Sequence, residues 1–217
     1  MRLEAIVLAG GRSSRMGAPK SALVFEGRSL VEIAVDSART RVGRTGTVVV
    51  VGPRELAPPG VLTAREEPAW GGPAAALAAG IEALSAEALA LRPPDVTPAE
   101  WVLVLACDLP RAALAVDALV AAAMPHTGAG VDAVVAVDDS GRRQPLLALY
   151  RTDALAGAAA SASLIDDLAG LSLRRLLAGL TVVEVAVDGA LCVDVDTPEQ
   201  ARAFGIDVPP VSRAAIV

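Results

Sequence analysis

The sequence predicts an α/β fold of three layers, in which helices cover both faces of a mostly parallel, partly mixed sheet. Short apolar runs typical of buried strands alternate with longer helical stretches along almost the whole chain. This order is typical of parallel strands joined by helical crossovers. Asp138-Asp139-Ser140-Gly141 lies between two apolar runs, and such a turn predicts a hairpin, which makes part of the sheet antiparallel.

Each element has a local reason in the sequence. Strands are predicted where apolar runs end at glycine, proline or charged residues, namely at 3–9, 46–52, 61–64, 101–107, 131–137, 144–150, 181–187 and 190–195. Helices are predicted at 30–39, from Gly71-Gly72-Pro73 to Leu91, at 112–124, 152–160 and 164–178, and from 198 onward. The helices at 30 and 198 begin with the capping boxes Ser29-x-x-Glu32 and Thr197-x-x-Gln200.

The composition indicates a globular chain with a large core. Of 217 residues, 53% are hydrophobic and 20% charged, which is enough apolar material to fold without disulfides or metal. We expect a single domain over residues 1–206 and a loosely held tail at 207–217, where Pro209-Pro210 follows the last predicted helix.

Charge and residue types argue against several kinds of partner. A net charge of −6 disfavours nucleic-acid binding, which depends on basic surface, and 2% aromatic residues disfavour a base-stacking platform. Cys107 and Cys192 are too few for a disulfide framework or a four-ligand zinc site. Apolar stretches such as 73–81 meet Glu82 before the roughly 20 residues that a membrane span needs. We therefore expect a cytoplasmic protein that binds neither nucleic acid nor membrane.

A glycine-rich loop follows the first predicted strand, with the sequence Leu8-Ala9-Gly10-Gly11-Arg12-Ser13-Ser14-Arg15-Met16-Gly17-Ala18-Pro19-Lys20. Glycines let backbone N–H groups approach an anion, and Arg12, Arg15 and Lys20 add three cations to an acidic chain. The spacing fits neither a P-loop, in which lysine directly follows glycine, nor the G-x-G-x-x-G of dinucleotide-binding folds. The loop is therefore predicted to bind a polyphosphate.

Lys20 is the only lysine among the 19 basic residues, since all others are arginine. A compact ammonium in a chain that otherwise uses arginine favours a point-charge contact with phosphate over chance placement.

The loop resembles the signature of the nucleotidyltransferases that join a nucleoside triphosphate to a phosphorylated acceptor. Its Leu-Ala-Gly-Gly start is most similar to the molybdenum cofactor guanylyltransferases, a MobA-like family. The similarity extends over most of the chain through Glu67-Pro68 with Gly71-Gly72-Pro73, Ala106-Cys107-Asp108-Leu109-Pro110, Gln144-Pro145-Leu146, and Asp194-Val195-Asp196-Thr197-Pro198-Glu199. The chain departs from the family at Ala75 and Ala76, where a glycine is usual, and at Asp194 and Asp196, where some members have asparagine. The resemblance implies a Rossmann-like nucleotidyltransferase fold.

Asp108 directly follows the apolar run 101–107, so it is expected at the carboxyl end of a strand, the edge where ligands bind in parallel α/β sheets. A carboxylate that faces a triphosphate needs a cation between them, and Mg²⁺ held by one or two carboxylates and phosphate oxygens supplies it. Asp194 is favoured as the second ligand over Asp196, which adjoins the capping Thr197. The alternative role for Asp108 is as N-cap of the helix at 112–124.

The resemblance implies a Mg²⁺-dependent enzyme that transfers GMP from GTP to the phosphate of molybdenum-molybdopterin and releases pyrophosphate. It implies catalytic roles for Arg15, Lys20 and Asp108. Nucleotide contacts are expected from Leu8, Ala9, Gly10, Gly11, Arg12, Arg15, Lys20, Gly72 and Asp108. Arg143, Gln144 and Arg174 are candidates for binding the acceptor. A solvated hairpin tip explains Arg143 equally well, and for Arg174 the C-terminal half of a helix, where cations are favoured, is the preferred explanation.

Two other functions stay open on the sequence. The first is transfer of CMP or another nucleotide to the same pterin or to a different phosphorylated acceptor. The second is a nucleotide-binding adaptor without turnover, against which the set of Arg15, Lys20, Asp108 and Asp194 argues, because a pure binder needs no metal carboxylates. The role implied by the resemblance also includes transient contact with molybdenum-insertion proteins or molybdoenzymes.

Overall fold

A computed structural model describes residues 1–10, 23–91, 99–126, 130–165 and 167–206, and a seven-stranded mixed sheet runs through this part of the chain. Its strands are β1 (Leu3–Leu8), β4 (Val48–Val51), β5 (Leu62–Ala64), β6 (Trp101–Ala106), β7 (Ala133–Val137), β8 (Arg143–Arg151) and β9 (Val182–Ala186). A separate hairpin joins β2 (Val24–Phe25) to β3 (Arg28–Ser29). The order in the large sheet is β5-β4-β1-β6-β8-β7-β9. The predicted loose tail at 207–217 lies outside the described residues.

β8 makes the sheet mixed. β1 pairs in parallel with β4 and β6, and β7 pairs in parallel with β9, whereas β8 runs antiparallel to both β6 and β7. The turn between β7 and β8 is closed by the N–H of Gly141, which donates to the carbonyl of Asp138 at 2.9 Å. The predicted hairpin is therefore confirmed. It places Arg143, at the start of β8, beside Val137, at the carboxyl end of β7.

The helices form the two outer layers. One face of the sheet is covered by α1 (Leu30–Val42) and α3 (Ala113–Ala123), and the other by α2 (Pro73–Leu91), α4 (Thr152–Ile165) and α5 (Leu173–Leu176). Because both faces are covered, all six residues of β1 are buried. The predicted three-layer α/β fold is confirmed, as are the capping boxes that begin α1 and α6 (Pro198–Ala203).

α2 is mostly apolar, and its charged residues are Glu82 and Glu87. Residues Pro73–Ala90 are long and apolar enough to cross a membrane by length and composition alone, with 44% of them buried inside the structure. Ala74 and Leu77 belong to the core beneath the sheet. A Cβ on Gly80 would lie 2.8 Å from the Cγ2 of Ile6, so the helix can approach β1 this closely only with glycine there. The apolar side of α2 is therefore used to cover the sheet.

Two predicted elements are wrong. The helix predicted at 164–178 is reduced to α5, a single turn, because Gly170 adopts a left-handed φ of +80° and Ser172 caps a new start. The strand predicted at 190–195 is a 3-10 turn at Gly189–Leu191 followed by a segment that has no strand assignment. Its Val195 N–H donates to a carbonyl beyond the end of β6, so the segment crosses the edge of the sheet and does not extend it.

A small third hydrophobic group lies apart from the two faces of the sheet. We call it the C-terminal cluster, and its buried members are Leu23, Leu30, Val195, Ala201 and Ile206. It joins the chain that follows the glycine-rich loop to the segment that carries Asp194 and Asp196.

Candidate functional site

The carboxyl ends of the parallel strands form the edge at which the site is built. Leu8 ends β1 between Val51 of β4 and Ala106 of β6, and the chain then leaves the sheet through half-buried Ala9 and exposed Gly10. Ala9 continues the pairing with one more bond, from its N–H to the carbonyl of Val51 at 2.8 Å. The first three predicted nucleotide contacts therefore lie where ligands bind in this class of fold. The predicted residues Gly11, Arg12, Arg15 and Lys20 lie outside the described residues.

Glu66, which is not among the predicted site residues, lies close to Gly10. It follows β5 at the same edge and is one of two buried acidic side chains in the part of the chain that the structure describes, with 7% exposure. A Cβ added to Gly10 would be 3.8 Å from its Oε1. The rule that pointed to Asp108, a polar residue just beyond a strand that ends at this edge, applies equally to Glu66 and could have found it.

The turn between Glu66 and α2 is held in a constrained backbone conformation. The N–H of Trp70 donates to Oε1 of Glu66 at 3.2 Å, and Trp70 has a left-handed φ of +69°, which is uncommon for a bulky residue. Predicted Gly72 has a φ of +93° just before α2 begins, so a side chain there would be strained. The turn brings backbone groups and the positive end of α2 to the site, an arrangement suited to an anion.

The two departures from the family at the start of α2 lie inside the core. Ala75 and Ala76 are buried, with 5% and 7% exposure, and the Cβ of Ala75 is 3.0 Å from the position a Cβ on Gly71 would take. The methyl groups by which Ala75 and Ala76 differ from glycine therefore lie inside the protein.

Asp108 and the segment of Asp194 and Asp196 are brought together. The N–H of Val195 donates to the carbonyl of Asp108 at 3.0 Å. Val195 is fully buried, whereas Asp194 is exposed and Asp196 half-buried, so the predicted alternation of faces holds although the segment is not a strand. The alternative role of Asp108 as a helix cap is wrong, because Ala112 occupies the N-cap of α3 with no side-chain bond.

The carboxylates at this edge fit a hard divalent cation that shares its coordination with a ligand. Among the described residues no group of three or more His, Cys, Asp or Glu side chains is placed to hold a metal ion. The predicted ligands, Asp108 with Asp194 or Asp196, would supply one or two carboxylates. Mg²⁺ is commonly bound in this way, with substrate phosphates and water completing its octahedron.

Two of the predicted acceptor residues already have protein partners. Arg143 forms an ion pair with Glu184 of β9, and Nε2 of Gln144 donates to Oδ2 of Asp138 at 2.8 Å. Hydrogen bonds from the Ser140 hydroxyl and from the backbone N–H of Arg142 lower the pKa of Asp138. The hairpin tip is thus a hydrogen-bonded unit.

A cavity of about 640 Å³ opens beside this hairpin. It lies between the short α5 and the face of β7, β8 and β9, and it exists because only one helical turn covers the sheet there. Apolar walls come from residues such as Val135 and Leu177, and the polar lining includes Arg143, Arg174 and Tyr150. The hydroxyl of Tyr150 donates to the carbonyl of Pro145 at 2.8 Å, and burial raises the pKa of Tyr150. The cavity can take a flat, partly apolar molecule that carries an anionic group.

A glycine after β1, the N-terminal end of α2 and two acidic segments lie at one edge of the sheet, an arrangement typical of α/β proteins that bind phosphates. The model of the MobA-like NTP transferase domain family matches residues 5–185. The chain belongs to this family and is a nucleotidyltransferase, as its resemblance predicted.

Two curated relatives carry the same name, probable molybdenum cofactor guanylyltransferase. The one from Geobacillus sp. (strain WCH70) is 31% identical over 155 residues, which cover 69% of this chain and 70% of the relative. The one from Nostoc sp. (strain PCC 7120) is 32% identical over 155 residues, covering 69% of this chain and 66% of the relative.

Solved structures share the fold. Molybdopterin-guanine dinucleotide biosynthesis protein A from Archaeoglobus fulgidus aligns with a TM-score of 0.63 at 19% identity, over 93% of this chain and 96% of that one. The 2-C-methyl-D-erythritol 4-phosphate cytidylyltransferase from Thermus thermophilus aligns with a TM-score of 0.56 at 18% identity, over 92% and 96%. The predicted nucleotidyltransferase fold is therefore confirmed.

Proposed function

We propose that this protein transfers GMP from GTP to the phosphate of molybdenum-molybdopterin, giving molybdopterin guanine dinucleotide and pyrophosphate. The observation that carries the proposal is the bond from Val195 to the carbonyl of Asp108, because it brings two acidic segments to the edge where the glycine-rich loop begins. The names of the two curated relatives support the choice of nucleotide and acceptor.

The proposed reaction is an in-line displacement at the α-phosphorus of GTP. The attacking group is the phosphate monoester of the acceptor, which is already ionised, so no general base is needed. Catalysis then depends on positioning and on neutralising charge. Backbone N–H groups of Gly10 and Gly11 are proposed to hold the triphosphate, with Arg12 nearby, and Arg15 and Lys20 to neutralise the β and γ phosphates as pyrophosphate leaves.

Asp108 and Asp194 are the residues proposed to hold Mg²⁺. When bound, the ion supplies neutralisation of charge on the α and β phosphate oxygens. We favour Asp194 over Asp196, since the backbone N–H of Asp196 donates to the side chain of Gln200 as part of the start of α6.

Glu66 supports guanine as the base. Guanine presents N1–H and the 2-amino group side by side, and a carboxylate has lone pairs for both in addition to the bond that Glu66 already accepts from Trp70. Cytosine presents an acceptor nitrogen at the corresponding edge, which a carboxylate repels. Gly72, at the end of the same turn, is proposed to allow the base to approach the backbone.

The cavity beside β8 is the proposed acceptor pocket. Its apolar walls suit a pterin ring system, and Arg174, which is exposed at its lining, suits the acceptor's phosphate. Arg143 lines the same cavity, although its pairing with Glu184 leaves less of its charge for a ligand, and Gln144 positions the hairpin through Asp138.

The proposal extends to the setting of the protein. We propose that residues 1–206 form one domain, since all strands from Leu3 to Ala186 except the short hairpin of β2 and β3 share a single sheet. We further propose a cytoplasmic enzyme that passes its product to molybdenum-insertion proteins or molybdoenzymes by transient contact.

The test is pyrophosphate release with Mg²⁺ and molybdopterin, comparing GTP, CTP, ATP and UTP, with Asp108→Asn as the control for contaminating activity. Preference for GTP is expected. Preference for CTP would leave the proposed mechanism unchanged and identify the reaction as cytidylyl transfer. Release with none of the four would indicate a different acceptor or, if nucleotide binding also ignores Mg²⁺, a non-catalytic adaptor.

A further inference from the structure

The C-terminal cluster connects two segments that are far apart in the sequence. Leu23 and Leu30 come from the chain that leaves the glycine-rich loop, three residues after Lys20, and Val195, Ala201 and Ile206 come from the last described segment. All five are buried, the most exposed being Ile206 at 3%. A movement of either segment therefore has to move the other or break this packing.

Val195 is the member of the cluster that reaches the site. Its side chain is in the cluster, its N–H is bonded to the carbonyl of Asp108, and its two neighbours are Asp194 and Asp196. The packing of Val195 therefore helps to determine where Asp194 and Asp196 lie relative to Asp108.

Phe204 supports this arrangement from the other end of α6. It is half-buried and packs against the cluster. The guanidinium carbon of Arg111 is 5.1 Å from the centre of its ring, a cation–π distance. Arg111 lies three residues after Asp108, so the ring is held between the cluster and the segment that carries Asp108.

We propose that Phe204 is a positioning residue, which acts through the C-terminal cluster to hold Asp194 at the correct separation from Asp108. The inference rests on the proposed function only in assigning a divalent metal to the two aspartates. It predicts that metal binding and the packing around Phe204 stabilise each other, because both require the same position of the segment at 194–196.

The first test measures the affinity of the protein for Mn²⁺ in the presence of guanosine 5′-(α,β-methylene)triphosphate. The readout is the electron paramagnetic resonance signal of the free ion. We expect Phe204→Ala to raise the Mn²⁺ dissociation constant by roughly 10-fold or more, the scale for loss of a support outside the metal ligands. Phe204→Tyr should restore it, because the ring and its contact with Arg111 are kept.

The matched control is Leu3→Ala, a core truncation at the opposite edge of the sheet. It should lower the melting temperature and leave the Mn²⁺ dissociation constant unchanged. Unchanged Mn²⁺ affinity in folded Phe204→Ala would overturn the inference while leaving the proposed function standing. A wild-type protein that binds no Mn²⁺ would instead overturn the metal assignment on which both depend.

The second test uses the wild-type chain and so does not depend on how a variant folds. Amide hydrogen exchange of peptides covering 23–33 and 195–206 should slow together when Mn²⁺ and the analogue are added. Slower exchange in neither peptide, or in only one, would overturn the proposed coupling.

Discussion

The backbone N–H of Trp70 donates to Oε1 of Glu66 at 3.2 Å, and the same oxygen lies 3.8 Å from the position that a Cβ on Gly10 would take. A buried carboxylate thus lies between the turn before α2 and Gly10, just after β1. Its neighbour Glu67 is exposed, so two adjacent glutamates differ sharply in environment.

Glu66→Gln is expected to weaken discrimination for guanine. Glutamine keeps an oxygen for Trp70 but loses the charge and one set of lone pairs, so kcat/KM for GTP should fall roughly 10-fold to 100-fold. ITP, which lacks the 2-amino group, should lose less, and the GTP-to-ITP ratio should approach one. Glu67→Gln is the matched control, and an equal loss in both variants would argue against base recognition by Glu66.

Asp108→Asn should reduce turnover by on the order of 10²-fold or more, because an amide cannot neutralise a cation. Pyrophosphate release at saturating GTP measures the effect, and circular dichroism checks that the variant is folded. Near-normal turnover in the folded variant would refute the role of Asp108.

Lys20→Ala should also cost on the order of 10²-fold or more in turnover, since it removes a point charge from the leaving pyrophosphate. Lys20→Arg separates charge from shape. Full activity in the arginine variant would mean that any cation suffices at this position.

Asp194→Asn should raise the Mg²⁺ concentration needed for half-maximal activity more than Asp196→Asn does. The exposed Asp194 faces outward from buried Val195, whereas Asp196 adjoins the capping box of α6. A larger effect of Asp196→Asn would reverse the assignment of the second ligand.

Tyr150 should make the protein sensitive to alkali. Burial raises the pKa of Tyr150 above its ordinary value of 10.0. As the pH rises, the unfolded state therefore loses this proton before the folded state does, and the ionisation stabilises the unfolded state. Folding stability linked to Tyr150 is therefore present below pH 10 and is lost above it. Because Tyr150 is the only tyrosine, absorbance at about 295 nm follows its ionisation directly. Ionisation should accompany unfolding, and Tyr150→Phe should remove this part of the pH dependence at a cost of about 1 kcal/mol for the lost bond to Pro145.

Local patterns predicted most of the fold. The runs that became β1 and β6 are apolar enough to require burial on both faces, and the capping boxes at Ser29 and Thr197 are local by nature. The strand predicted at 190–195 failed because strand formation depends on a partner, and the available partner for Val195 is the carbonyl of Asp108. A sequence pattern does not reveal such a partner.

Sequence patterns located the candidate site residues that directly follow a predicted strand. Asp108 and Gly10 follow apolar runs directly, and the structure places them at the expected edge. The environment of Glu66 depends on the turn through Trp70, whose N–H donates to it. The cavity beside β8 depends on a helix, α5, that is shorter than its apolar pattern suggests. Both are consequences of tertiary packing.

The two tryptophans of the chain are in opposite environments, and this gives the protein a built-in optical probe. Trp101 is fully buried in β6, whereas Trp70 is 46% exposed, with the guanidinium carbon of Arg65 5.9 Å from its ring. Iodide in solution should quench the fluorescence of exposed Trp70 and leave that of buried Trp101 unquenched. The quenched fraction of the fluorescence therefore reports on the turn before α2 alone. Titrating nucleotides against this signal tests, without a label, whether they occupy the proposed site, and the emission of Trp101 serves as an internal reference.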